Sequence, residues 1–176
     1  MKKITTKRLT VLSFLTGMAL IAFMVESLFP PLVLPGAKMG ISNVFTLLCL
    51  VVLTPCDAIV LIIVRTIVGS LFSSGISTLI YSLSAGLVSV LVSAVLMQIF
   101  PKISIVSISV VSAVTHNVVQ NLIFVWVSGA KLMLGYLPYL ALIGAFAGII
   151  VGLVTYFAIK SLPISAFDRL YIGLTD

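Results

Sequence analysis

Long apolar blocks broken by short polar or proline-glycine punctuation fill this chain, and the breaks define its elements. The first block, about Leu9 to Leu28, stops before Pro30-Pro31, where proline cannot continue the helical ladder. A second block, about Ile41 to Leu53, is short for a membrane span. Thr54-Pro55-Cys56-Asp57 then reads as an N-cap, a proline at the first helical position and a carboxylate at the third, so a new helix starts there. It runs to about Phe72 and stops at Ser73-Ser74-Gly75. Further helices are expected over about Ile76 to Phe100, Ser104 to Val127 and Leu137 to Lys160, ended by Pro101-Lys102, Ser128-Gly129 and Pro163. The expected fold is all-α: a polytopic six-transmembrane-helix bundle. A basic terminus (1–8) precedes a single transmembrane domain (9–160), and a polar tail (161–176) follows it.

Composition narrows the class. With 61% hydrophobic residues, 8% charged residues and a mean hydropathy of +1.36, the 176-residue chain is far too apolar for a soluble domain. The apolar run of the first helix continues to Val25 without a small-residue cleavage site, so it reads as a retained helix rather than a signal peptide. The net charge of +6 is carried largely by Lys2, Lys3, Lys7 and Arg8, which suits an anionic lipid leaflet and not nucleic acid.

The basic residues also orient the bundle. With the N-terminus inside, Lys2, Lys3, Lys7, Arg8, Lys102, Lys160 and Arg169 collect on the cytoplasmic side and only Lys38 and Lys131 outside. That distribution implies six spans in the cell membrane with both termini cytoplasmic. The rival reading fuses the second and third helices into one span kinked at Pro55, and it places Lys160 and Arg169 outside.

Small residues recur at four-residue spacing: Gly144, Gly148 and Gly152 on the last helix, and Ala85, Ser89 and Ser93 on the fourth. Such rows let backbones approach closely in lipid, and helix packing within the bundle is their expected role. Cys49 and Cys56 are spaced for neither zinc nor a redox pair and are expected to pack as small apolar residues.

Polar groups are costly in the hydrocarbon layer, so each needs a partner or a cavity. Arg65 falls well inside the third helix. On the fifth, His116, Asn117, Gln120 and Asn121 make two adjacent i,i+4 pairs, extended by Ser109 and Ser112. Upstream, the corner Pro35-Gly36-Ala37-Lys38-Met39-Gly40 feeds a helix N-terminus, whose free N–H groups and Lys38 suit an anionic or carbonyl-bearing ligand. The bland alternative is a surface turn with Lys38 solvated. In the six-span topology Lys38, Asn43, Arg65, His116, Asn117 and Gln120 gather in the outer half, as in a pocket opening outward. Tyr81 is placed to stack on a ligand or to serve in an interfacial aromatic belt. The alternative for the cluster as a whole is an internal network in which Glu26 neutralises Arg65 and the amides bond one another.

The four acidic residues include no close pair, which excludes an aspartate-rich magnesium–diphosphate motif. No phosphate-binding Walker loop, serine-hydrolase elbow or HExxH zinc motif occurs. Asp57 reads as a capping residue rather than a catalytic acid. No catalytic residue, cofactor site or metal site is expected, and binding or translocation is favoured over enzymatic chemistry.

The segments Pro35-Gly36-Ala37-Lys38-Met39-Gly40 through Asn43, Arg65 with Val68-Gly69 and Ser74-Gly75, Tyr81 to Gly86, and His116-Asn117 with Gln120 resemble the Gx transporter family. That family is often labelled heptaprenyl diphosphate synthase component I, and it is related to the substrate-binding S components of energy-coupling factor (ECF) transporters. The likeness covers roughly residues 10 to 160. It implies a six-helix subunit of the ECF S-component type that captures a small vitamin-like molecule from outside. Such a subunit associates with a transmembrane coupling protein and ATPase subunits, which hold the nucleotide. The alanine-rich AxxxA docking pattern of many such subunits is here the irregular set Ser13, Gly17, Ala19 and Ala22. A second reading is a membrane accessory of isoprenoid, quinone or redox enzymes that transports nothing.

Overall fold

Each break in the apolar pattern becomes a break between helices. The computed structural model describes residues 6–28, 40–73 and 76–161. Its helices are α1 (Thr6–Leu28), α2 (Ile41–Val52), α3 (Pro55–Ser73), α4 (Ile76–Ile99), α5 (Ile105–Ser128) and α6 (Leu137–Ser161), with a short 3-10 segment, Lys131–Tyr136, before α6. Among the described residues there is no strand, and five helices are long and apolar enough to cross a membrane. The protein is an all-α, polytopic membrane protein.

Local chemistry accounts for the ends. Ser104 caps α5, its hydroxyl accepting from Ser107 N–H at 3.1 Å. Gly129 closes the same helix in the left-handed region (φ 71°) and donates its N–H to the Val125 carbonyl at 2.8 Å. At the start of α3, Thr54 Oγ1 accepts from Asp57 N–H at 3.3 Å and donates to Asp57 Oδ2 at 2.7 Å, as the capping signature foretells.

Two polar tethers fix the path of the first three helices. Near one end of α1, Arg8 pairs with Asp57 at 2.7 Å and donates to Thr54 Oγ1 at 2.9 Å. Near its other end, Glu26 accepts from the first amide of α2, Ile41 N–H, at 2.7 Å. So α2 runs antiparallel to α1, and α3 turns back parallel to it. The chain reverses at Leu53-Thr54, and the fused, kinked second span is not what forms.

The short α2 nonetheless reaches from one tether to the other. Arg8 and Glu26 are separated by about 27 Å of helix, and Ile41 and Thr54 by about 20 Å; the side chains of Arg8 and Glu26 make up the difference. Nine of the twelve residues of α2 are buried, so it is the core helix around which the longer ones pack.

The remaining helices show the inside-out pattern of a membrane protein. Phe14, Leu71, Phe146 and Phe157 are exposed, whereas Arg65, Ser93, His116 and Asn117 are buried. The glycine row of α6 packs on the backbone of α5. A methyl group built on Gly148 would lie 2.6 Å from Val110 Cα, and one on Gly152 would lie 2.7 Å from Val106 Cα. That is the helix-packing role expected of the row. Of the two cysteines, Cys49 is buried as expected; Cys56 is exposed, because it faces outward beside the α3 cap.

Candidate functional site

The polar groups of α2, α3 and α5 converge on one cleft between the helices. Asn43, Arg65, His116 and Asn117 line it, together with Glu26 at the end of α1 and Ser82 of α4. Four of the candidate ligand residues read from the sequence therefore meet in one cavity, with Ser109 and Ser112 of the same α5 stripe.

Arg65 dominates the electrostatics. It is 2% exposed, and its Nη2 donates to Asn43 Oδ1 at 2.9 Å. Among the described residues, its Nε and Nη1 have no hydrogen-bond partner and no carboxylate lies within ion-pairing distance. A guanidinium offers five N–H donors along two forked edges, which share Nη2. Asn43 engages one Nη2 hydrogen, so whichever edge it occupies, the other keeps both donors. Arg65 thus keeps a complete fork of unpartnered donors, buried beside the cavity, of the kind that a planar oxyanion satisfies.

The backbone before α2 supports this arrangement. Gly40 sits at φ 74°, and its carbonyl accepts from Asn43 N–H at 2.8 Å. A Cβ at Gly40 would approach Asn43 Nδ2 to 3.2 Å, so a side chain there would crowd the amide that holds Arg65.

The anion expected at the N-terminus of α2 proves to be the protein's own. Glu26 Oε1 accepts from Ile41 N–H at 2.7 Å and Oε2 from Ser42 Oγ at 3.1 Å. The helix end is therefore occupied by an internal carboxylate, and the vacant donors belong to Arg65. Glu26 faces the same cavity but is bonded to α2, so it does not neutralise Arg65 through a direct contact. Lys38 lies outside the described residues, as do the rest of the Pro35–Met39 corner and the tail beyond Ser161.

The polar stripe of α5 divides. His116 and Asn117 line the cavity, and Asn117 Nδ2 also donates to the Leu140 carbonyl at 3.2 Å, tying α5 to α6. Asn121 donates to the Met133 carbonyl at 2.9 Å and pins the 3-10 segment. Gln120 is buried outside the cavity lining, one helical turn farther along, with its Oε1 unpartnered among the described residues. Tyr81 is also away from the lining; its ring packs edge-on against Phe124 at 5.5 Å. The neighbouring Ser82 takes the place in the wall that Tyr81 was expected to fill.

Two contributors were not among the candidate ligand residues read from the sequence. Glu26 returns across fifteen positions to cap α2, a contact no local spacing announces. Ser82 lies beside the Ala85, Ser89, Ser93 row of α4, where a hydroxyl facing the polar stripe of α5 was the available signal.

No curated protein matches the chain. A family model matches residues 15–158, most of the chain and all of the cavity-lining residues named above, and on that match the protein belongs to the heptaprenyl diphosphate synthase component I family.

Proposed function

We propose that this protein is the membrane-embedded substrate-binding subunit of an ECF-type importer, capturing a small anionic or carbonyl-rich, vitamin-like compound. The observation that carries the reading is Arg65, a buried guanidinium with a vacant fork lining an open polar cavity. A cation left so poorly paired at membrane depth is costly, and an oxyanion guest removes the cost. His116 and Asn117 supply further polar contacts from the opposite wall.

A binding role also fits the fate of the described carboxylates. Glu26 is bonded to α2, and Asp57 to Arg8 and Thr54, so neither is presented for acid–base or metal chemistry. In this reading the chain is not an enzyme. It sits in the cell membrane with both termini cytoplasmic, and a coupling subunit and ATPase subunits provide the energy.

The test is binding of flavins, quinone precursors and other vitamins to purified protein in nanodiscs, repeated with Arg65→Ala and His116→Ala. Loss of a charge-assisted fork is expected to weaken a genuine ligand by about tenfold or more. Unchanged affinity in both variants would exclude this cavity. Affinity purification from native membranes is expected to recover a coupling protein with ATPases. Recovery of isoprenoid or quinone enzymes without them would replace this reading with the accessory role suggested by the family's description.

A further inference from the structure

A second cavity adjoins the first and shares Asn43, Leu47 and Ser112 with the Arg65 cleft. From Asn43 it follows α2 past Thr46 to Leu50, about 10 Å along the helix axis and away from the Glu26 end. Its far wall is Ser89, Val90 and Ser93 of α4.

Three of the four hydroxyls here, all but that of Ser112, have a definite polarity. Ser89 Oγ donates to the Gly86 carbonyl at 3.0 Å, and Ser93 Oγ to the Ser89 carbonyl at 2.7 Å. Thr46 Oγ1 donates toward the Ser42 carbonyl at 3.4 Å. A hydroxyl has one proton, so each of these oxygens has only lone pairs left for a guest. All three residues are buried, at 5%, 1% and 5% exposure for Ser89, Ser93 and Thr46. The Arg65 end therefore donates hydrogen bonds, and the serine-lined end accepts them.

From this polarity we infer that the ligand is bipartite: an oxyanion head of carboxylate type on Arg65, and an uncharged body bearing hydroxyl or amide N–H donors lodged among Thr46, Ser89 and Ser93. The inference rests on the Arg65 reading above and adds to it the chemistry of the rest of the molecule. It also gives the Ala85, Ser89, Ser93 row a role that helix packing alone does not require. Alanine or glycine would allow the same backbone approach without placing oxygens in a cavity wall.

Three six-carbon probes separate the two ideas: hexanoate has the head alone, gluconate has head and donors, and sorbitol has donors alone. Binding is measured by calorimetry on the full chain in nanodiscs, for wild type, Arg65→Gln, Ser93→Ala and the Ser89→Ala/Ser93→Ala double variant. Thermal unfolding without probe verifies that each variant is folded, and Ser93→Ala alone carries the test if the double variant is not. Gluconate is expected to bind wild type at least about tenfold more tightly than hexanoate, and sorbitol not detectably. The serine variants should bring gluconate toward the affinity of hexanoate, and Arg65→Gln should weaken both acids. Hexanoate binding as tightly as gluconate, or a preference for gluconate that survives the serine variants, overturns the bipartite ligand while leaving the Arg65 head intact. Failure of both acids to bind, or equal binding by Arg65→Gln, overturns the Arg65 reading and this inference with it.

Discussion

Replacing Arg65 with methionine tests whether the guanidinium serves a guest or the fold. Methionine keeps an unbranched stem of similar reach and removes the charge. The variant loses one charge-assisted hydrogen bond, from Nη2 to Asn43 Oδ1 at 2.9 Å, worth about 1.5–3 kcal/mol. It also removes a cation from the membrane-embedded core, where insertion scales place the cost at about 2.5–3.5 kcal/mol. These opposing effects largely offset each other, so the empty protein should lose no more than about 0.5 kcal/mol and gain no more than about 2 kcal/mol, within several degrees in Tm on the roughly 2–4 °C per kcal/mol scale of domains this size. Ligand binding should be lost. The assay is thermal unfolding in nanodiscs with and without ligand. A residue locked into a saturated internal network behaves differently, because breaking a buried pair costs about 3–5 kcal/mol. A loss of that size in the empty protein would show that Arg65 is structural and would remove the basis of the binding proposal.

Three further outcomes follow from the packing of the helices and the α2 cap. Gly148→Ala should destabilise the bundle by about 1–3 kcal/mol, because the added methyl meets Val110 backbone at 2.6 Å and α5 and α6 must separate. Gly17→Ala, with nothing within 4 Å, should instead raise Tm through helix propensity worth about 0.5–1 kcal/mol. Glu26→Gln removes the carboxylate that accepts from Ile41 N–H and Ser42 Oγ, and should cost about 0.5–2 kcal/mol. Faster amide hydrogen exchange at Ile41 and Ser42 is the direct readout, and unchanged exchange would mean the cap is not held in solution.

The helix boundaries were legible because the residues that end helices do so by local chemistry. Pro55 after Thr54, Ser104 and Gly129 each act within one turn, so their sequence positions are their structural positions. The 3-10 segment at Lys131–Tyr136 was not foreseen. What holds it is the Asn121 amide on the Met133 carbonyl, twelve residues distant, and not a pattern of its own. The site was legible to the same depth. An i,i+4 stripe shows which side chains of α5 share a face, and that brought His116 and Asn117 to the cavity, but it does not say where along the helix the cavity ends. Gln120 lies on that face and beyond that end. Tyr81 and Ser82 are neighbours in sequence that face different surroundings, and only the packing of α4 against α5 decides which enters the wall.

The arrangement of stabilising contacts explains how the bundle tolerates an unsatisfied guanidinium. Close backbone packing along Gly144, Gly148 and Gly152 joins α5 to α6, and of the cavity side chains named above Asn117 adds a hydrogen bond to this seam, donating to the Leu140 carbonyl. The Arg8–Asp57–Thr54 cluster and the Glu26 cap hold α2 at its two ends, leaving Asn43 and Leu47 to line both cavities and Thr46 the second. Because α2 is buried and short, lipid does little to anchor it, and its position depends on these side chains. Asn43 of α2 meets Arg65 of α3 through one hydrogen bond, so an oxyanion on the vacant fork would act on the joint between the core helix and a membrane-crossing one. In the proposed function, occupancy of the cavity and the seating of α2 would be linked through that one hydrogen bond.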